Sequence, residues 1–151
     1  MLQMIIDHIP SSLLHALAGA LIIDIFFGSK LPVKRRLSII LLGSLLVFIL
    51  DIPKLFGFIF THSLFFVPFI GAGIALLTRK MITESFIMQW LGIMCVLLIG
   101  GILIDFLGNG AHLFFPITDR NFSYSIVTRE FWPILILGFI IVIRLITSRN
   151  K

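Results

Sequence analysis

Long apolar runs limit what this chain can become more than any other feature. Five stand out, at residues 13–27, 37–50, 55–77, 86–107 and 131–146. Roughly 20 apolar residues in a helix cross the hydrocarbon core of a bilayer. Runs 55–77 and 86–107 reach that length. The other three are short and must recruit flanking residues or thin the bilayer, and the first two have re-entrant segments as the alternative. Breakers separate the runs: Gly28 with the turn Ser29-Lys30-Leu31-Pro32, Asp51 with Pro53, Arg79-Lys80, and Gly108-Asn109-Gly110. Backbone polar groups in lipid must pair within their own segment, which favours helices. The sequence therefore predicts an all-α, polytopic transmembrane helical bundle of about five spans. It forms one membrane domain over residues 1–151, with 1–10 as an interfacial segment broken off by Pro10 and 108–130 as an extracytoplasmic loop.

Composition closes off the alternatives. The chain is 59% hydrophobic and 13% charged, with mean hydropathy +1.15, against roughly 45–50% and about 25% for a soluble domain. A soluble globular enzyme, a disordered segment and a nucleic-acid-binding domain are excluded as classes. Cys95 is the single cysteine, so an intrachain disulfide and a cysteine metal site are out. No base precedes Lys30, so a secretory n-region is absent and the N-terminus is expected to be retained.

The net charge of +5 reads as a topology signal. Lys30, Lys34, Arg35 and Arg36 fall between the first two runs, Arg79 and Lys80 between the third and fourth, and Arg149 and Lys151 after the fifth. All lie on one side of a five-span arrangement, and only Lys54, Arg120 and Arg129 on the other. The positive-inside rule puts the N-terminus outside and the C-terminus in the cytoplasm. Arg144 is expected to snorkel to the cytoplasmic interface.

Ionisable residues in spans are costly and mark function by default. His15, near the outer end of the first run, Asp51 at the end of the second, His62 about 10 Å into the third taken as a helix, and Asp105 near the end of the fourth all approach the outer leaflet. Imidazole and carboxylate together are ligands for Zn²⁺ or a similar divalent ion. Each has a plainer reading: the two aspartates as helix ends facing headgroup water, His15 as an interfacial residue bonded to a carbonyl, His62 as a buried structural histidine. His8 and His112 read as interface or loop residues, and Asp24 as the partner of Lys30 or a neighbouring base. Gly100-Gly101 and Gly71-Ala72-Gly73 read as helix-packing positions.

Four segments carry a resemblance. His15-Ala16-Leu17-Ala18-Gly19 is similar to a T-H-x-L-x-G motif. Leu42-Gly43-Ser44-Leu45-Leu46 with Asp51-Ile52-Pro53-Lys54 is similar to L-L-G-x-L-x-P-D-x-D-H. Phe60-Thr61-His62-Ser63-Leu64 matches the end of H-R-G-x-T-H-S. Gly101-Ile102-Leu103-Ile104-Asp105 with Leu113-Phe114-Phe115-Pro116-Ile117-Thr118-Asp119-Arg120-Asn121-Phe122-Ser123 is similar to S-H-x-L-x-D followed by L-L-x-P-F-S-D-R-R-x-S. In this order, over residues 10–125, the chain resembles the bacterial inner-membrane family of LexA-regulated, membrane-bound metal-dependent hydrolases. Ile49, Ile52, Gly57-Phe58 and Gly101 stand where that family has further polar residues.

The resemblance implies a bacterial inner-membrane hydrolase using a divalent metal, zinc by ligand type, on His15, Asp51, His62 and Asp105. Asp119 is the candidate base and Arg120 the candidate phosphate contact. Both also read as ordinary interfacial loop residues. Access from the outer leaflet points to a lipid or lipid-linked phosphate or ester. The alternative is a non-catalytic subunit or scaffold keeping the family fold. Expected partners are membrane lipids, with a membrane protein or a second copy of the chain as further expectations, and no nucleic acid. A small transporter or channel fits less well, because the polar residues gather near one face.

Overall fold

A computed structural model describes residues 2–54, 56–108, 110–124, 126 and 132–149. Asn109, Arg129, Lys151 and the side chains of His8, Lys30, Lys54 and Arg149, which enter the reading above, lie outside the described residues. The molecule is an all-α bundle, and among the described residues the sole β feature is an isolated bridge between Ala111 and Phe122.

Helix α1 covers Leu2–Phe27 and carries Pro10 in its interior. Pro10 therefore does not break residues 1–10 away from the first span, contrary to expectation. Proline forfeits one backbone bond, but the apolar residues on either side continue the helix and keep the rest of the backbone paired. Pro32 caps α2, Val33–Leu46, and α3, Phe48–Lys54, follows almost directly. Together they give a 21-residue apolar stretch, Val33–Pro53, of spanning length.

Run 55–77 is the main departure. It is not one helix. Gly57 adopts φ +82°, a left-handed conformation that suits glycine, and Ile59–His62 forms a short 3₁₀ turn. Only α4, Val67–Leu77, is helical, starting with Pro68 in its first turn, where the missing N–H costs nothing. Its 11 residues rise only about 16 Å. The fourth run forms α5, Phe86–Cys95, capped by Ser85, whose hydroxyl accepts from the Met88 amide at 3.4 Å. It continues through a π-helix, Val96–Leu103, into α6, Ile104–Leu107. The last helix, α7, is Trp132–Arg149. Three stretches are long and apolar enough to cross a membrane: Ile9–Phe27, Val33–Pro53 and Phe86–Leu107.

α1 is the central element, packed against α2, the π-helix and α7, while α4 pairs with α5. The tightest approach is glycine on glycine. A Cβ on Gly43 would meet the Gly19 carbonyl, and one on Gly100 would lie 3.1 Å from the Gly19 amide nitrogen. Gly19, Gly43 and Gly100 thus let three backbones touch, the use of small residues expected between membrane helices. Gly73 faces open space. Ile23, Val47, Leu50, Ile93 and Leu97 fill the core around this seam, while Leu41, Phe69, Leu77, Leu135 and Phe139 point outward. Apolar side chains inside and outside alike are what a lipid-exposed bundle presents.

Candidate metal centre

Four elements deliver four ionisable side chains to one place. α1 supplies His15, α3 Asp51, the 3₁₀ turn His62 and α6 Asp105. His15 Nε2 lies 3.3 Å from Asp105 Oδ1. His62 Nε2 lies 3.0 Å from Asp105 Oδ2 and 3.1 Å from Asp51 Oδ1. Asp51, His62 and Asp105 each offer a donor atom within 4.8 Å of the others', and His15 joins them through Asp105. His15, His62 and Asp105 are buried, while the Asp51 side chain is 39% exposed and leaves the cluster one open side.

Local chain geometry explains the convergence. Asp51 follows the close α1–α2 packing at Gly19 and Gly43. The turn after Gly57 folds the chain back so that Thr61 can donate from Oγ1 to the Leu50 carbonyl at 2.8 Å, which sets His62 beside Asp51. In the π-helix one residue is added per turn, a feature common at functional sites; here it precedes Asp105 and presents the Gly100 carbonyl to His15. His62 is therefore not a mid-helix residue deep in a third span. It sits in a turn, because Gly57 and Pro68 confine the helix to the second half of that run.

Hydrogen-bond logic fixes which imidazole atom faces the carboxylates. His15 Nδ1 is 2.7 Å from the Gly100 carbonyl oxygen. A carbonyl only accepts, so Nδ1 carries the proton. The Thr61 hydroxyl spends its hydrogen on Leu50 and can only accept from His62 Nδ1, 3.4 Å away. In both rings Nε2 is then the atom directed at carboxylate oxygens. A neutral Nε2 shows them a lone pair, so either a proton or a metal cation lies between the nitrogen and the carboxylates. That is the donor arrangement of metal-binding histidines, whose second nitrogen is held by a carbonyl or similar acceptor. Donors about 2.0–2.1 Å from one tetrahedral ion lie about 3.3 Å apart, close to the 3.0 and 3.1 Å separations at His62. The residues present fit a divalent ion.

The loop after α6 is fastened to residues flanking this region. Gly110, at φ +100°, places its amide on the Asp105 carbonyl at 2.5 Å. Ser63 donates to the Phe115 carbonyl at 2.5 Å, and the Leu64 amide to the Leu113 carbonyl at 3.0 Å. The loop is thus tied to the residues that follow His62. Asp119 and Arg120 are exposed on it; the Asp119 carbonyl accepts from His112 Nδ1 at 2.7 Å, and the Arg120 guanidinium lies 5.5 Å from the Phe122 ring centre. His112 is accordingly a loop residue.

Asp24 pairs with Arg36 and Arg144. Arg144 therefore reaches inward to a carboxylate, where snorkelling alone was expected, because the Asp24 charge inside the bundle offers it more than headgroup water does. Sequence reasoning missed Thr61 and the Gly100 carbonyl as orienting groups. Adjacency to His62 is the only signal for the first, and nothing in the sequence announces the π-helix behind the second. No known protein family, curated protein or solved structure matches this chain.

Proposed function

We propose that the chain is a membrane-embedded, metal-dependent hydrolase acting on a lipid or lipid-linked phosphate or ester. One observation carries this reading: two imidazole Nε2 atoms and two carboxylates from four separate elements meet in a largely buried cluster with one open side. A divalent ion, zinc by ligand type, supplies Lewis-acid polarisation of a phosphoryl or acyl oxygen and a more acidic water when bound. Asp51, His62 and Asp105 hold it, and His15 completes or braces the set through Asp105. The packed helices keep bulk water from three of the four groups, and substrate approaches on the Asp51 side. Asp119 and Arg120, on the loop fastened beside His62, are assigned as base and as phosphate or headgroup contact. The resemblance to the LexA-regulated membrane hydrolases agrees with this reading. The same proposal places the chain in a bacterial inner membrane, with the N-terminus and the centre at the outer leaflet.

A second reading has its own support. Where the resembled family carries more polar groups, Gly101 lies against Leu50 and Ile52 is more than half exposed. A thinned donor set of this kind suits a non-catalytic subunit that keeps the fold. Metal content of the purified protein separates the two. Hydrolase function requires stoichiometric divalent metal in the wild type that is lost in His62→Ala; a wild type without metal removes it and leaves the scaffold.

A further inference from the structure

A second buried ionic group lies at the opposite end of the bundle and plays no part in the proposed hydrolysis. Along α1, Asp24 follows His15 by nine residues, about 13 Å of helix. Its carboxylate holds two guanidinium groups. Arg36 donates from Nε to Oδ1 at 2.5 Å and from Nη2 to Oδ2 at 2.8 Å. Arg144 donates from Nε to Oδ2 at 2.7 Å and from Nη2 to the Asp24 backbone carbonyl at 3.2 Å. Gly28 is part of the arrangement, since a Cβ there would strike the Asp24 carboxylate.

Two guanidinium groups share the Asp24 carboxylate, and this group has one open side. The side chains of Asp24 and Arg36 are 1% and 2% exposed, whereas Arg144 is 32% exposed. On α7, Ile140 and Ile136 precede Arg144 by one and two turns on the same face, and both are exposed. A guanidinium thus heads an outward-facing apolar strip. At the same end, Lys34 and Arg35 are exposed in the first turn of α2, which holds no acidic residue. With the positive end of the helix dipole, they make the start of α2 electropositive. Glu84, bordering a cavity with Phe27, Leu31 and Ile39, is the one further acidic side chain at this end among the described residues.

We propose that Arg144, backed by Asp24 and Arg36, binds the phosphate of an anionic membrane phospholipid. Lys34 and Arg35 add to the attraction, and the acyl chains lie along Ile140 and Ile136. The phosphodiester accepts paired N–H donors from the part-exposed Arg144 guanidinium, which Asp24 holds in place. The apolar strip selects a lipid over a free anion.

The test titrates the detergent-purified protein, stripped of metal with chelator, with phosphatidylglycerol, phosphatidylcholine or inorganic phosphate, and reads the unfolding temperature. Phosphatidylglycerol is expected to raise it saturably and phosphatidylcholine not. Arg144→Gln is expected to weaken the apparent affinity about tenfold, and Arg144→Lys, which keeps the charge but loses the paired donors, to recover only part of the loss. Lys34→Gln with Arg35→Gln, at exposed positions, is expected to weaken it about threefold and keeps the test open if Arg144→Gln fails to fold. Equal response to both lipids, an unchanged response in every variant, or an equal response to inorganic phosphate overturns the proposal. Because metal is absent throughout, the outcome is independent of the hydrolase reading.

Discussion

Two levels of α1, His15 near its middle and Asp24 near its C-terminal end, bury charge in opposite ways. At one level Asp24 is matched by guanidinium groups that never lose their charge, in the paired geometry that makes such contacts strong. At the other, His15, His62, Asp51 and Asp105 face one another with no fixed positive charge among the four. A buried anion beside a permanent cation is a strut. Two carboxylates facing two imidazoles can take up an exchangeable cation between them, a proton on Nε2 or a metal ion. On the proposed function the second group carries the chemistry, while the first ties α1 to α2 and α7 through one carboxylate.

The largest effect expected from this contrast is at Asp24. Asp24→Asn strips Arg36 of its buried counter-charge and is expected to cost about 3–5 kcal/mol, read by thermal or denaturant unfolding in detergent. Asp105→Asn in metal-free protein is expected to leave stability unchanged or raise it by up to about 2 kcal/mol, because it removes one of two neighbouring anions. Equal losses at the two positions break the distinction and make both groups struts.

Added metal sharpens the same contrast. Zn²⁺ at a free concentration about a hundredfold above its dissociation constant is expected to stabilise the wild type by about 2.7 kcal/mol. Asp51→Asn and His62→Ala are expected to lose that gain, whereas Arg144→Lys retains it. The gain shrinks on acidification, since imidazoles must be neutral to bind metal and protons compete for Nε2. Stabilisation that survives in both Asp51→Asn and His62→Ala places the metal elsewhere.

Between the two levels lies the glycine seam, and here the effect is intermediate. Gly43→Val drives a branched side chain into the Gly19 carbonyl and Ile23, an overpacking expected to cost about 1–3 kcal/mol. Gly73→Ala, facing open space on α4, is the control and is expected to stay within about 0.5 kcal/mol of wild type. If Gly43→Val also lowers metal affinity, the seam sets the register of both charged groups.

Much of this was legible in the sequence, for definite reasons. Apolar runs in lipid leave little besides helices, so the bundle follows from hydropathy. The four candidate ligands were legible because a charged group in an apolar run is conspicuous. What hid was backbone geometry. Leu2–Phe27 runs through Pro10 because continuing the helix satisfies more groups than breaking it, a balance that residue identity alone does not show. The break in 55–77 rests on a positive φ at Gly57, and glycine permits that conformation without requiring it. The Asp24 triad hid because Arg144 is 120 positions away, and long-range pairing of this kind becomes apparent only when α7 packs on α1.

The smallest expected effect tests whether the chemistry extends beyond the buried cluster. Asp119 and Arg120 are exposed on a loop held by backbone carbonyls at Phe115 and Leu113, so their side chains do little for folding. Asp119→Asn and Arg120→Ala are expected to shift stability by less than about 0.5 kcal/mol and to leave metal content at the wild-type level. Turnover of a phospholipid or lipid-linked phosphate is the discriminating measurement. As general base, Asp119 is worth about a hundredfold or more in rate; as a phosphate contact, Arg120 acts mainly through KM. If both variants turn over at the wild-type rate, the loop takes no part in the chemistry, and the base must be found among the four clustered groups, with Asp51 first because its carboxylate alone reaches the open side.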